Sequence, residues 1–179
     1  MRRFRHITIL VVIAGLTACS GPIETRIDTA MPVAPASGST YFLSVPEGDA
    51  APIQSRAAAL LESRLTAVGL TRTTNPETAE YTVSLGVADR SADFGYRAGG
   101  QIIATPKQKR AFQNCADREF RVAVTILRVA DGTESYRGSA AEYHCKAKLN
   151  DVLPILVDAA LSGFSSQPGA RVELRKGVD

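Results

Sequence analysis

Histidine and cysteine are scarce in this 179-residue chain, and tryptophan is missing altogether. The histidines are His6 and His144; the cysteines are Cys19, Cys115 and Cys145. That supply argues against a metal site built on the cysteines, which would need about four ligands. It leaves little for a Ser-His-Asp triad, since His144 is the one histidine beyond the N-terminal segment. A Cys145–His144 nucleophilic pair is poorly placed, because neighbours in a strand point to opposite faces; His144 is expected on a sheet surface. Long apolar runs are missing too. The stretch from Ile7 to Ala18 is shorter than the about 20 residues a membrane-spanning helix requires. A phosphate cradle is also lacking, because Gly95 and Gly99-Gly100 lead into Gln101-Ile102-Ile103, which reads as extended rather than as a helix N-terminus.

What is present at the N-terminus is more informative. Arg2, Arg3 and Arg5 precede the short apolar run, which ends in Leu16-Thr17-Ala18-Cys19. A positive segment, a short apolar segment and small residues before a cut make an export signal. The cysteine directly after them makes the stretch resemble a lipobox. The resemblance implies that residues 1–18 are a lipoprotein signal peptide and that Cys19 becomes the lipidated first residue. Ser20 follows it, and the absence of Asp there resembles an outer-membrane sorting signal. The expected location is the periplasmic face of the outer membrane, held by lipid.

Removal of residues 1–18 changes the charge balance. The net charge of +3 falls to zero, because three arginines leave and 18 basic residues then face 18 acidic ones. Nucleic acid is thereby excluded as a partner, as is strong attraction of the whole domain to an anionic surface. Cys115 and Cys145 remain as an even pair in an oxidising compartment, where a disulfide is the default; two buried thiols or a metal pair are the alternatives.

Residues 19–38 hold Pro22, Pro32, Pro35, Gly21 and Gly38 without a sustained period, and read as a lipidated cysteine followed by a flexible tether. Such a coil spans roughly 25 Å, from about 5–6 Å × √n. Residues 39–167 read as one α+β domain, and 168–179 as a loose tail. Thr40 to Val45 is a β-rich run. Ala57, Leu60, Leu61, Leu65 and Val68 form a helical stripe, with Asp49 a candidate cap and Gly69 suited to the helix end. Tyr81, Val83, Leu85 and Val87 alternate, as do Phe120, Val122, Val124 and Ile126. Asp131-Gly132 marks a hairpin whose two-residue turn would set Cys145 opposite Arg118 and Cys115 opposite Lys148. Leu153, Leu156, Val157, Ala160, Leu161 and Phe164 form a second helical stripe, with Asn150 a candidate cap. The order β-α-β-β-β-α predicts a single mixed or antiparallel sheet of about four strands with two helices on one face. The other face is expected to be wet or covered by a long loop.

Several of these segments carry a family resemblance: Ser39-Thr40-Tyr41-Phe42, the helix ending Val68-Gly69-Leu70, Ala79-Glu80-Tyr81-Thr82-Val83, and the hairpin ending Tyr136-Arg137-Gly138-Ser139-Ala140. The pattern resembles the bacterial lipoproteins with domain of unknown function 4136, with Glu80 in place of Asp and Tyr136 in place of Trp. The resemblance implies the fold over about residues 39–166 and brings no assigned activity and no site residues.

Two groups remain as candidate sites. Asp89, Asp93, Asp117 and Glu119 would supply paired carboxylates for acid–base chemistry only if they met, and solvated acids are the commoner outcome. The stretch from Ser91 to Asn114 is long for a compact domain. It carries Phe94, Tyr96 and Arg97, then Lys107, Lys109 and Arg110, a mixture of rings and cations suited to anionic partners. The expectation is a non-enzymatic binding or assembly module without a cofactor, its partners the membrane through its lipid and an envelope protein. The alternative is an auxiliary lipoprotein of an envelope lipid or solute transport system. An apolar groove between sheet and helices would favour transport; a flat polar face would favour protein binding.

Overall fold

The computed structural model describes residues 22–44, 51–93, 95–98, 101–104, 106–107 and 115–177. The signal segment, Cys19, Asp49, Phe94, Lys109 and Arg110 lie outside the described residues.

Strands β1 (Ile23–Ala30), β2 (Thr40–Ser44), β3 (Thr71–Arg72), β4 (Tyr81–Ser91), β7 (Arg118–Arg128), β8 (Glu134–His144) and β9 (Gly169–Arg175) form one mixed sheet. Its order is β3-β2-β4-β7-β8-β1-β9. β2 runs parallel to β3 and β4, and every other pairing is antiparallel. A separate hairpin, β5 (Tyr96–Ala98) with β6 (Gln101–Ala104), lies in the long connection between β4 and β7.

Seven strands replace the expected four. The largest correction is at the N-terminus. Residues 23–30, expected to be tether, are a strand paired on both sides, to β8 and to β9. Its inward positions are Ile23, Thr25, Ile27 and Thr29, all at most 7% exposed. Half of that face is threonine, so the alternation carries little hydrophobic signal. The C-terminal tail is likewise a strand, β9, whose side chains are mostly exposed.

Helices α1 (Ala51–Ala67) and α2 (Leu149–Ala160) pack against each other and on one sheet face. Their stripes meet Tyr41, Leu43, Val83, Val122, Val124 and Ile126 in a single core. Ala57, Leu61 and Leu65 are fully buried as the period predicts, whereas Val68 is 39% exposed beyond the helix end. Gly69 takes φ +88°, the left-handed conformation that glycine allows at a helix end. At α2 the N-cap is Lys148 and makes no side-chain cap bond; Asn150 lies inside the first turn and does not cap.

The β7–β8 turn also departs from expectation. Arg128 donates its backbone N–H to Thr133 O, and Gly132, at φ +68°, donates to Arg128 O. This longer turn, with a register shift between Ile126 and Leu127, sets His144 rather than Cys145 opposite Arg118. Cys115 and Cys145 are joined by a disulfide with a Cα–Cα distance of 5.6 Å.

Candidate functional site

Antiparallel pairing brings side chains of four strands together on the face that the helices do not cover. On β7, Glu119 stands opposite Arg90 of β4 and Tyr143 of β8. One step further, Arg121 stands opposite Ala88 and Ala141, and Ala141 stands opposite Arg26 of β1. The small side chains of Ala88 and Ala141 leave room for the arginines to lie across the sheet.

The geometry centres on one carboxylate. Glu119 is 2% exposed. Arg90 donates to its Oε1 from Nε and Nη2 at 3.2 and 2.9 Å, and Arg121 donates from Nε at 3.0 Å. Arg26 donates to Oε2 at 3.1 Å. Burial pushes the Glu119 carboxyl up, but the charge of Arg121 and the bonds from Arg90 and Arg121 outweigh it and hold it below its ordinary value. Three guanidinium groups thus share one negative charge, and their side chains keep 35–43% of their surface exposed. The Arg26 guanidinium also lies 4.0 Å from the centroid of the Tyr143 ring, and Lys107 Nζ lies 4.6 Å from the same centroid. Lys107 is paired with Asp117 at 2.8 Å. Its backbone N–H donates to Ala92 O, which anchors the long connection beside the cluster.

The candidate loop is therefore only partly brought together. Lys107 reaches the cluster. Tyr96 and Arg97 lie on the backbone of β5. The segment is not a plain loop, because β5 and β6 occupy it and Gln101–Ala104 is extended as expected. The four acids do not share a site: Asp89 pairs with Arg118, Asp117 with Lys107, Glu119 with the arginines, and Asp93 accepts from Ser91. Sequence reading missed Arg26, Arg90, Arg121 and Tyr143. Their signal is a charged or aromatic residue at each outward position near one end of an alternating strand.

A second polar cluster lies on the helix-covered face. Glu142 and His144 are buried, and His144 stacks on Phe120 with centroids 5.3 Å apart. His144 is thus a core residue and not the surface residue that strand position suggests. Its Nε2 stands 2.8 Å from Glu142. A carboxylate only accepts, so that nitrogen carries the proton. Arg175 of β9 and Thr25 of β1 also donate to Glu142. Burial pushes the Glu142 carboxyl up, yet these three donors hold it down to about 2.

Between the C-terminal ends of the helices is a cleft of about 290 Å³ lined by Leu65, Val68, Leu161 and Phe164 with Arg64, Asp158 and Ser162. Arg64 and Asp158 close one side through paired bonds of 2.5 and 2.6 Å.

No protein-family model matches the sequence, and no curated protein matches it. Solved structures do resemble the fold. A PDZ domain protein from Parabacteroides distasonis ATCC 8503 superposes with a TM-score of 0.54 at 12% identity, over 84% of this chain and 39% of that one. A PelC dodecamer from Paraburkholderia phytofirmans gives a TM-score of 0.47 at 14% identity, over 77% of this chain and 96% of that one. The structural neighbours also include a DUF4136 family protein from Bacteroides thetaiotaomicron VPI-5482, with a TM-score of 0.41 at 10% identity over 78% of this chain and 93% of that one.

Proposed function

We propose that this chain is an outer-membrane-anchored periplasmic lipoprotein that works as a non-enzymatic binding module, taking an acidic segment of an envelope protein on its open sheet face. The observation that carries this reading is the surplus charge around Glu119. Arg26, Arg90 and Arg121 share one carboxylate, which leaves two positive charges in excess within that cluster, while Glu24 and Asp28 stand on the same face of β1 to either side of Arg26. Partly exposed guanidinium groups already held in place bind carboxylates with little further ordering cost. The filled space between sheet and helices favours this reading over transport, since Leu61, Leu65, Val124, Ile126 and Leu156 are fully buried where an acyl chain would lie.

Mild crosslinking in envelope extract tests the reading. Wild type and R90A/R121A are compared at low and high salt. A captured protein that is lost in the variant and released by salt supports it. An identical captured set from both proteins at low salt sinks it.

A further inference from the structure

The lipobox places the lipid on Cys19, and β1 begins at Ile23. Only Ser20, Gly21 and Pro22 lie between them. Four Cα steps reach at most about 14 Å, at 3.3–3.6 Å each. The strand they lead into is no loose appendage, because β1 is held between β8 and β9 inside the sheet. The domain therefore cannot stand off the bilayer on a long tether; the end of the sheet at which β1 starts is tied close to the lipid.

The pairing register says what that end carries. Ile23 stands opposite Arg175, Arg118 opposite His144, and Ser91 opposite Arg118. The start of β1, the end of β9, the end of β8 and the start of β7 therefore lie together. Lys146, Lys148 and Lys176 follow directly on β8 and β9. All three are exposed, and they make no ion pair among the described residues. Leu174, 67% exposed, lines an open cleft at this end together with Pro22, Arg175, Lys176 and Gly177. The far end of the sheet, at the β7–β8 turn, is about 35 Å away along the 11 residues of β7.

We infer that this end of the sheet rests on the anionic phospholipid headgroups of the leaflet that holds the lipid anchor, with Lys146, Lys148 and Lys176 meeting the phosphates and Leu174 the upper acyl boundary. The headgroup region of one leaflet is about 5–8 Å thick, half the difference between the full bilayer and its hydrocarbon core. A reach of at most about 14 Å from the anchor therefore holds this end no more than about one headgroup layer above the headgroups, and any shorter path brings it into them. Unpaired lysines at that height lie within the Debye length of about 8 Å. The inference rests on the lipoprotein reading and extends it from attachment to orientation. The Arg26–Arg90–Arg121 face then stands upright beside the membrane, its first arginine three residues beyond the start of β1 at Ile23.

The absence of tryptophan makes the test direct, because a single introduced residue is the only fluorophore of its kind. L174W reports the near end and V129W, in the β7–β8 turn, the far end; both positions are exposed. Each full-length protein is placed in vesicles of phosphatidylethanolamine and phosphatidylglycerol, with and without bromine on the acyl chains. The tryptophan of L174W is expected to be quenched and that of V129W to keep its emission. G177W, at another residue lining that cleft, replaces L174W and carries the triple substitution if L174W fails to reproduce the wild-type circular dichroism. In the L174W background, K146Q/K148Q/K176Q is expected to lose most of the quenching. Equal response of both probes, or none, overturns the orientation; quenching unchanged by the triple substitution overturns the lysine contact. Intact mass separates the two levels. A chain without lipid on Cys19 refutes the anchoring itself, whereas a lipidated chain with an unquenched near-end probe refutes only the placement.

Discussion

Gly138 of β8 lies directly beneath Ala160 of α2, so close that a β-carbon at position 138 would stand 1.9 Å from the Ala160 carbonyl oxygen. The same oxygen accepts a bond of 2.6 Å from the Tyr136 hydroxyl, and the Tyr136 ring stacks on Phe164 at 4.4 Å. Tyr136-Arg137-Gly138-Ser139-Ala140, the motif behind the family resemblance, is therefore the seat on which α2 docks.

The close approach sets the first prediction. Gly138→Ala should push α2 off the sheet and cost about 1–3 kcal/mol, the range for overpacking a core. Gly86→Ala is the control, because its nearest neighbour would be an ordinary 3.9 Å away. Urea titration of both variants decides it. A Gly138→Ala midpoint equal to that of Gly86→Ala would show that the helix adjusts without cost.

Reduction of the Cys115–Cys145 bond should weaken the fold. The bond closes a loop with a sequence separation of 30, for which chain entropy gives about 3–4 kcal/mol. Cys115→Ser should melt well below wild type, and the wild type with dithiothreitol should follow it. Peptide mapping without reductant gives an independent check: two free thiols in periplasmic protein would contradict the pairing.

Acid should act through Glu142. Its carboxyl is held at about 2, below its ordinary 4.5. A carboxyl depressed in the folded state adds stability that is fully present above pH 4.5 and is lost as pH falls toward 2. A shift of that size corresponds to about 3 kcal/mol. Glu142→Gln should therefore be less stable than wild type near neutral pH, and the gap should close on acidification. Parallel stability curves for the two proteins between pH 2 and 5 would assign the acid response elsewhere.

Attachment to the membrane should depend on Cys19. In Cys19→Ser, incorporation of a fatty-acid analogue should vanish and the signal should stay uncut by the lipoprotein peptidase. Equal label in both proteins would end the lipoprotein reading.

The sequence by itself determined the elements whose burial is apolar. Phe120, Val122, Val124 and Ile126 alternate because one face of β7 meets the helices, and the stripes of α1 and α2 recur at helical spacing because those faces meet the sheet. The even cysteine pair was legible as a candidate disulfide, because count and expected compartment made it the default, and the fold brings the two together. Only the tertiary structure decided β1 and β9. β1 turns Ile23, Thr25, Ile27 and Thr29 inward, and β9 sets Arg171, Glu173 and Arg175 opposite them. Thr25 and Arg175 become buried or half-buried only because distant groups satisfy them: Thr25 and Glu142 are 117 positions apart, and Arg175 and Glu142 are 33 apart. The arginine cluster follows the same rule. Arg26 and Glu119 are separated by 93 positions and meet because two strands lie one apart in the sheet. A period of two is a local property that apolar residues display by themselves. A buried charge is stable only beside its partner, and the partner is supplied by the fold.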